Sequence, residues 1–307
     1  MKNKSKNLLA CVVYKGVEPY ISNLLKSVSL QSSNDFDLLI FNDGVSDSSE
    51  LSNYKSNIIE IKSESLQTPP IVRNKCIEFA KTNHYSSIIF CDADDLLSSN
   101  YVEEILYALR TYDFAFCDLH PFEFDISEKS STFLSSFIPS NGIFLNDIID
   151  RNLIGLGHSG MRVESIKEIQ LPHELVAVDW YLFSVMILKG LIGNFIARPL
   201  VHYRQSSLNT VGIVKRVSKK SVLHGINVKK LHYRAMLSYC SQNNILEKNI
   251  YLQKYEEIKE LDNYLLNPEN LNKYISIINN NLSSIFRGWW SEIITLNELK
   301  KYECILR

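Results

Sequence analysis

The chain has 307 residues, 45% of them hydrophobic, and its 33 basic and 34 acidic side chains leave a formal net charge of −1. That length can bury a large core and suits one catalytic domain with an appendage, while the near-zero charge excludes a general nucleic-acid binder.

Leu8 to Val13 is a strand-like run, and Pro19, after Glu18, opens a helix with Ile21, Leu24, Leu25 and Val28 at helical spacing. Phe36 to Phe41 predicts a second buried strand and Asn57 to Ile61 a third, after which Pro69 and Pro70 open a helix with Val72, Cys76, Phe79 and Ala80 on one face. Ser87 to Cys91 is a fourth strand, apolar from Ile88 on, that ends abruptly in Asp92, Ala93, Asp94 and Asp95. Ser98, Ser99 and Asn100 then precede the apolar stripe Val102, Ile105, Leu106 and Leu109. Strands separated by helices imply right-handed βαβ units and a parallel sheet, so that Asp43 and Asp92 share one edge.

Phe122 to Asn141, rich in Ser, Phe and Glu, reads as a loop over that edge that contacts an acceptor. Trp180 to Leu188 is an apolar helix closed by Gly190, with Asp179 at its amino-terminal end. After about residue 215 long helical patterns take over, which divides the chain into a domain over 1–215 and a helical region over 216–307. That region begins with Lys215, Arg216, Lys219 and Lys220, followed by Lys229, Lys230 and Arg234. Its last helix is expected to carry Ile278, Leu282, Ile285, Phe286, Trp289, Ile293 and Leu296 or Leu299 along one side, flanked by Arg287, Lys300 and Lys301. Such a helix packs on its own domain, packs on a second copy as a homodimer, or lies on a membrane holding a lipid-linked acceptor.

Cys11, Cys76, Cys91, Cys117, Cys240 and Cys304 lack metal-ligand spacing, and a reducing cytoplasm is the simplest inference. The basic start, residues 1–7, precedes an apolar run too short for a signal peptide, and no stretch is apolar enough to span a bilayer.

Carboxylates crowded at a strand end repel one another unless a cation neutralises them, and hard oxygen ligands suit Mg²⁺ or Mn²⁺ bridged to substrate phosphates. The same residues also suit an acidic loop that caps the following helix. The order Cys11-Val12-Val13-Tyr14-Lys15-Gly16, Phe41-Asn42-Asp43-Gly44 with Asp47 and Ser48, Val72-Arg73-Asn74-Lys75-Cys76-Ile77 and Cys91-Asp92-Ala93-Asp94-Asp95 resembles the family-two inverting glycosyltransferases of the GT-A fold. The likeness continues through Ser159-Gly160-Met161-Arg162 and Val178-Asp179-Trp180 to His202-Tyr203-Arg204-Gln205, over roughly the first two thirds of the chain.

That resemblance implies an α/β fold: a Rossmann-like nucleotide-diphospho-sugar transferase domain with a mainly parallel central sheet, plus the helical appendage. It implies that Val13, Tyr14 and Asp43 hold the nucleoside, that Arg73 acts on a phosphate or an acidic side chain, and that Asp92 meets the ribose or the metal. Asp94 would be the principal ligand of Mn²⁺ or Mg²⁺ in a DxD motif, Ala93 and Asp95 would line the donor sugar, and Arg204 would contact the donor. Asp95 has helix capping as its alternative, Asn-Asp-Gly a plain turn, and Arg73 a solvated surface arginine.

Asp179 would be the base for inversion, with helix capping as its competing role and Glu174 or His158 as substitutes. Two positions depart from the family pattern: Val178 stands where Glu is usual, and Ser206 where a histidine is frequent. His202 lies on the same side of an extended segment as residue 206, so it is either a metal ligand or a hydrogen-bonded structural residue. The implied activity is transfer from a nucleotide sugar, a UDP-sugar foremost, to a glycan or lipid-linked glycan in bacterial surface-polysaccharide synthesis. The location implied is the cytoplasm or the inner face of the membrane. The alternatives are a sugar nucleotidyltransferase and a non-catalytic nucleotide-sugar-binding protein.

Overall fold

β1 (Asn7–Tyr14) is buried along most of its length, as its apolar run from Leu8 requires of a central strand. The structure, a computed structural model, describes residues 7–46, 58–63, 66–123, 132–139, 142–205 and 212–303. β1 pairs in parallel with β2 (Asp37–Asp43) on one side, and β3 (Ile58–Lys62) continues in parallel beyond β2. On its other side β1 pairs in parallel with β4 (Ser87–Asp92). α1 (Glu18–Ser29) connects β1 to β2, and α2 (Pro69–Thr82) connects β3 to β4. Their prolines occupy first-turn positions, where a missing N–H forfeits no helical bond. Because the chain leaves β1 in one direction and returns to β4 in the other, a crevice opens between the carboxyl ends of those two strands.

Beyond β4 come the two-residue β5 (Leu96–Leu97), α3 (Tyr101–Ala108) and β6 (Phe114–Phe122). Short helices α4 (Leu145–Ile148) and α5 (Val163–Ile166) flank β7 (Ser159–Arg162), and α6 (Val178–Leu188) leads to β8 (Gly193–Arg204). The sheet order is β3-β2-β1-β4-β7-β6-β8-β5, with β7 antiparallel to β4 and β6, and β5 antiparallel to β8. The sheet is therefore mixed but mostly parallel, with the architecture of a GT-A-like fold. β7 and β5 were not expected from the sequence, because four and two residues are too few to show a period. The caps expected from Ser98, Ser99 and Asn100 are also absent from α3. Instead, Val102 N donates to Oε1 of Gln31 at 3.0 Å.

The helical region comprises α7 (Lys219–Gln242), α8 (Lys248–Tyr264), α9 (Pro268–Ile285) and α10 (Leu296–Glu303). Ser218 and Asn267 cap α7 and α9 through their side chains. Trp180 of α6 stacks on His232 of α7 with ring centroids 3.8 Å apart, and one apolar core runs from the sheet into these helices.

The single amphipathic last helix is corrected. α9 stops at Ile285, Gly288 and Trp290 take positive φ of 125° and 70°, and the helix resumes only at Leu296. Phe286, Trp289, Ile293 and Leu299 are buried in the core, so they form no membrane-facing stripe. Three of the basic residues do not belong to a free face either. Lys229 is buried and donates to Ile293 O at 2.7 Å, Lys230 pairs with Asp262 at 2.7 Å, and Arg234 lies 3.8 Å from Glu174. Among the described residues, no helix is long and apolar enough to cross a membrane.

Trp289 packs on Phe133, His158 and Tyr203 at centroid distances of 5.6, 5.9 and 6.0 Å. Trp289→Ala is expected to cost about 3–5 kcal/mol, read as a lower urea midpoint. Replacing both Trp289 and Ile293 with Glu is expected to abolish the circular-dichroism signature of the folded chain, rather than to release a folded protein from vesicles.

Candidate active site

The crevice is built from strand ends. Tyr14 and Asp43 form the last register pair of β1 and β2, and Val12 lies opposite Asp92 at the end of β4. Val13 is wholly buried and Ala93 nearly so, which leaves them backbone and packing roles at the rim. Asp43 accepts from Gln67 N with both oxygens, at 3.1 and 3.2 Å. Arg73, in α2, reaches Asp92 Oδ1 at 3.2 Å and lies over the Phe90 ring. Its Nη1 is buried with no partner among the described residues, an orphan donor beside the strand ends.

Asp94 is buried next to Asp92, and burial followed by the Asp92 charge pushes its carboxyl up to about 6. The phenol of Tyr14 is pushed up by its own burial and by the same carboxylates, Asp94 foremost. Arg204 donates from Nε to the backbone oxygen of Asp94 at 2.7 Å, with its guanidinium between the rings of Tyr20 and Phe122, each centroid at 4.5 Å. Asp95 is buried and accepts from Arg204 N at 2.8 Å. It braces the end of β8 rather than capping α3, which corrects that expectation.

Asp179 is the second residue of α6, half-buried, with Oδ1 accepting from Trp180 N at 2.9 Å. Burial pushes its carboxyl up to about 6, opposed by that N–H, by the Asn152 side-chain amide and by Arg73. The turn over Gly155–His158 ties it to the crevice. A Cβ on Gly157 would lie 2.1 Å from Asp92 Oδ2, and one on Gly155 would lie 3.7 Å from Asp179 Oδ2. Gly157 lets the backbone approach the Asp92 carboxylate, whereas Gly155 makes room for the His158 ring and lies at ordinary contact distance from Asp179. They were visible in the sequence but were not read as a close approach.

His158 is buried, donates from Nδ1 to Cys117 O at 2.9 Å and accepts from Gly155 N on Nε2 at 2.8 Å, with its pKa lowered to about 4 by burial. Both ring nitrogens are thus engaged, and Glu174 is exposed beside Arg234, so neither substitute base sits as Asp179 does. His202 pairs in register with His120, ring centroids 5.4 Å apart, and packs edge-on to Phe122. Burial and the His120 charge lower its pKa. Asp92, Asp94 and His202 do not converge, and no three ligand-type side chains do so among the described residues.

Sequence reasoning missed His120, whose ring nitrogens are buried without partners among the described residues. It also missed Asp118, which accepts from the backbone of Phe133, Leu134 and Ser135 and so pins part of the predicted covering loop. Neither carries a local motif. Asp47, Ser48, Ser206 and Ser207 lie outside the described residues.

The pattern of Glycosyl transferase family 2 matches residues 10–169, just over half of the chain. The chain belongs to that family. It is 26% identical over 286 residues to the putative glycosyltransferase EpsH of Bacillus subtilis, covering 87% of this chain and 75% of EpsH. It is 31% identical over 121 residues to a teichoic acid poly(glycerol phosphate) polymerase of Staphylococcus epidermidis, an alignment covering 38% of this chain but only 16% of the polymerase. Among solved structures, S. aureus TarS residues 1–349 in complex with UDP-GlcNAc superposes with a TM-score of 0.58 at 16% identity, over 82% of this chain and 71% of that one. A mannosyltransferase from Pyrobaculum calidifontis in complex with GDP-Man and Mn²⁺ gives 0.52 at 11% identity, over 77% and 65%. The family-two glycosyltransferase and its GT-A-like fold agree with the resemblance read from the motifs.

Gly157→Ala is expected to displace the Asp92 carboxylate from Arg73, because the added methyl cannot coexist with it. Losing that charge-assisted contact and forcing the carboxylate aside is expected to lower the melting temperature by a few degrees, measured by calorimetry.

Proposed function

We propose that the chain transfers a glycosyl group from a UDP-sugar to a hydroxyl of a glycan or lipid-linked glycan, with inversion, in bacterial surface-polysaccharide or glycoconjugate synthesis. The observation that carries the reading is the meeting of Asp92 and Asp179 along one glycine turn at the mouth of the β1–β4 crevice. The UDP-GlcNAc bound by TarS supports a UDP-sugar donor, and EpsH supports the polysaccharide setting. The start of α7 at Lys219 supports a catalytic domain over 1–215 followed by a helical region over 216–307.

Tyr14 and Asp43 hold the nucleoside, and the unpartnered Nη1 of Arg73 takes a diphosphate oxygen. The raised carboxyl of Asp94, backed by Asp92, is a hard-oxygen pair of the kind that holds Mg²⁺ or Mn²⁺ when substrate phosphates complete the shell. The Mn²⁺ of the mannosyltransferase complex supports that choice. Such an ion supplies Lewis acidity to the departing diphosphate. His202, apart from the carboxylates, takes no part in that shell. Asp179 removes the acceptor proton as the acceptor oxygen bonds the anomeric carbon and the sugar–diphosphate bond breaks.

Asp179→Asn is expected to lower transfer by roughly a hundred- to ten-thousand-fold, with melting temperature and donor affinity retained. Near-normal turnover would make Asp179 a structural residue of α6. For the wild type, the transfer rate is expected to rise with pH through a limb near 6, because the base acts only when deprotonated. Asp94→Ala is expected to erase any difference in nucleotide affinity between Mn²⁺ and chelator; a wild type that binds equally in both removes the metal from the reading.

A further inference from the structure

Asn152 and Trp289 join the two halves of the chain through an isolated antiparallel bridge, with Asn152 N donating to Trp289 O at 2.9 Å. Beside that bridge, the segment after α4, α7, the end of α9 and α10 enclose a cavity of about 370 Å³. Asp43, Arg73, Asp92, Asp94 and Asp179 do not line it, so it is separate from the crevice. Four cations do: Arg151, Lys229, Arg287 and Lys301. Lys229 is only 4% exposed, and its ammonium donates to a neutral acceptor, Ile293 O, without an ion pair among the described residues. A buried ammonium so placed keeps most of its desolvation cost. Arg151 Nε donates to Asp147 O at 2.9 Å, and Arg287 Nη1 to Ser283 O and Phe286 O, both at 2.9 Å. Backbone oxygens thus hold both guanidinium groups in place, and neither forms an ion pair among the described residues. The carboxylates that line the same cavity are already engaged. Asp150 pairs with Lys254 at 3.0 Å, Asp147 accepts from Phe144 N at 2.8 Å, and Glu298 accepts from Thr295 N at 2.8 Å.

We propose that this cavity is an anion site that takes a phosphate-bearing ligand, held by Lys229, Arg151 and Arg287 and approached past the exposed Lys301. A guanidinium offers paired N–H donors that match phosphate oxygens, and it stays charged at any physiological pH. The ammonium of Lys229 has N–H groups to spare beyond the one given to Ile293 O. A phosphate beside it supplies the counter-charge that no side chain of the cavity supplies. A cavity of this size admits the phosphate together with part of the group that carries it. Arg151 stands one residue before Asn152, and Arg287 two before Trp289, so the ligand bridges the same two halves that the backbone pair joins. A soluble phosphate ester and a lipid phosphate share this chemistry.

The test on the full chain is calorimetry with glycerol phosphate, alongside sedimentation with phosphatidylcholine vesicles that contain or lack phosphatidic acid. Wild type is compared with Arg151→Gln, Arg287→Gln, Lys301→Gln and Arg73→Gln, each with its melting temperature. Phosphate is expected to bind the wild type and to raise its melting temperature. Arg151→Gln and Arg287→Gln are each expected to weaken binding roughly tenfold, and Lys301→Gln about two- to fivefold. Arg73→Gln, which alters the crevice instead, is expected to retain it. Binding of glycerol phosphate without retention on phosphatidic acid assigns a soluble ester; retention that Arg151→Gln abolishes assigns a lipid phosphate. Absence of binding in both arms overturns the site, and so does binding that Arg73→Gln loses and Arg151→Gln keeps. If an arginine variant fails to fold, the exposed Lys301→Gln decides, and unchanged binding there overturns the site.

Discussion

The close contact between the Asp92 carboxylate and the backbone of Gly157 organises everything around it. β4 is buried as far as Cys91, so the first carboxylate after its apolar run emerges at the rim of the crevice, its side chain partly exposed, and Arg73 supplies the counter-charge from α2. Only a residue without a side chain fits against the free oxygen of that carboxylate. The segment between β6 and β7 therefore lies down on the crevice instead of looping away. Gly155, two residues earlier, then brings the same turn to Asp179. A strand-end carboxylate and a helix-start carboxylate 87 residues apart in sequence are thus flanked by one stretch of backbone.

The electrostatics of the crevice follow from that crowding. Asp94 and Asp179 are both held near 6, and Asp95 is raised as well by burial and by Asp94 and Asp92. A carboxyl whose folded pKa is raised favours the fold most below its unfolded pKa, and that contribution is lost as pH climbs through the folded value. Between about pH 4 and 6 Asp94 and Asp179 therefore cost the fold stability as they ionise, and above that range their cost is constant. Ligands that bring positive charge to Asp94 offset it. Arg204 answers part of the field but is committed to the backbone of Asp94 and to two aromatic faces. Positive charge brought to these carboxylates is thus favoured over bare solvent.

The sequence made the β1–β4 half of the fold legible because its strands are long, apolar and punctuated by first-turn prolines. It made the Asp92–Asp95 cluster legible because charge that abruptly ends a buried run is rare without a reason. The second half was harder to read. β7 owes its place to Gly160, where a Cβ would meet Ile105 at 2.6 Å, and no local pattern announces such a contact. His202 could be assigned to a face of an extended segment but not to a neighbour, because its partner His120 is 82 residues away in sequence and adjacent only through parallel β6–β8 pairing. The break after Ile285 had one visible sign, Gly288 beside two tryptophans, and an apolar period that carried on past it masked the sign.

The helical region is joined to the catalytic chemistry more tightly than a change of pattern near residue 215 suggests. α6 presents Asp179 at its start and, one residue later, stacks Trp180 on His232 of α7, while Trp180 Nε1 donates to Ile148 O at 2.6 Å. A rotation of α6 that moved Asp179 would have to unstack that ring and break that bond. The helices beyond Lys219 therefore resist motion of the carboxylate through the stacked Trp180 ring. That restraint fixes the position of the carboxylate, as the proposed role of Asp179 as base for an acceptor hydroxyl requires.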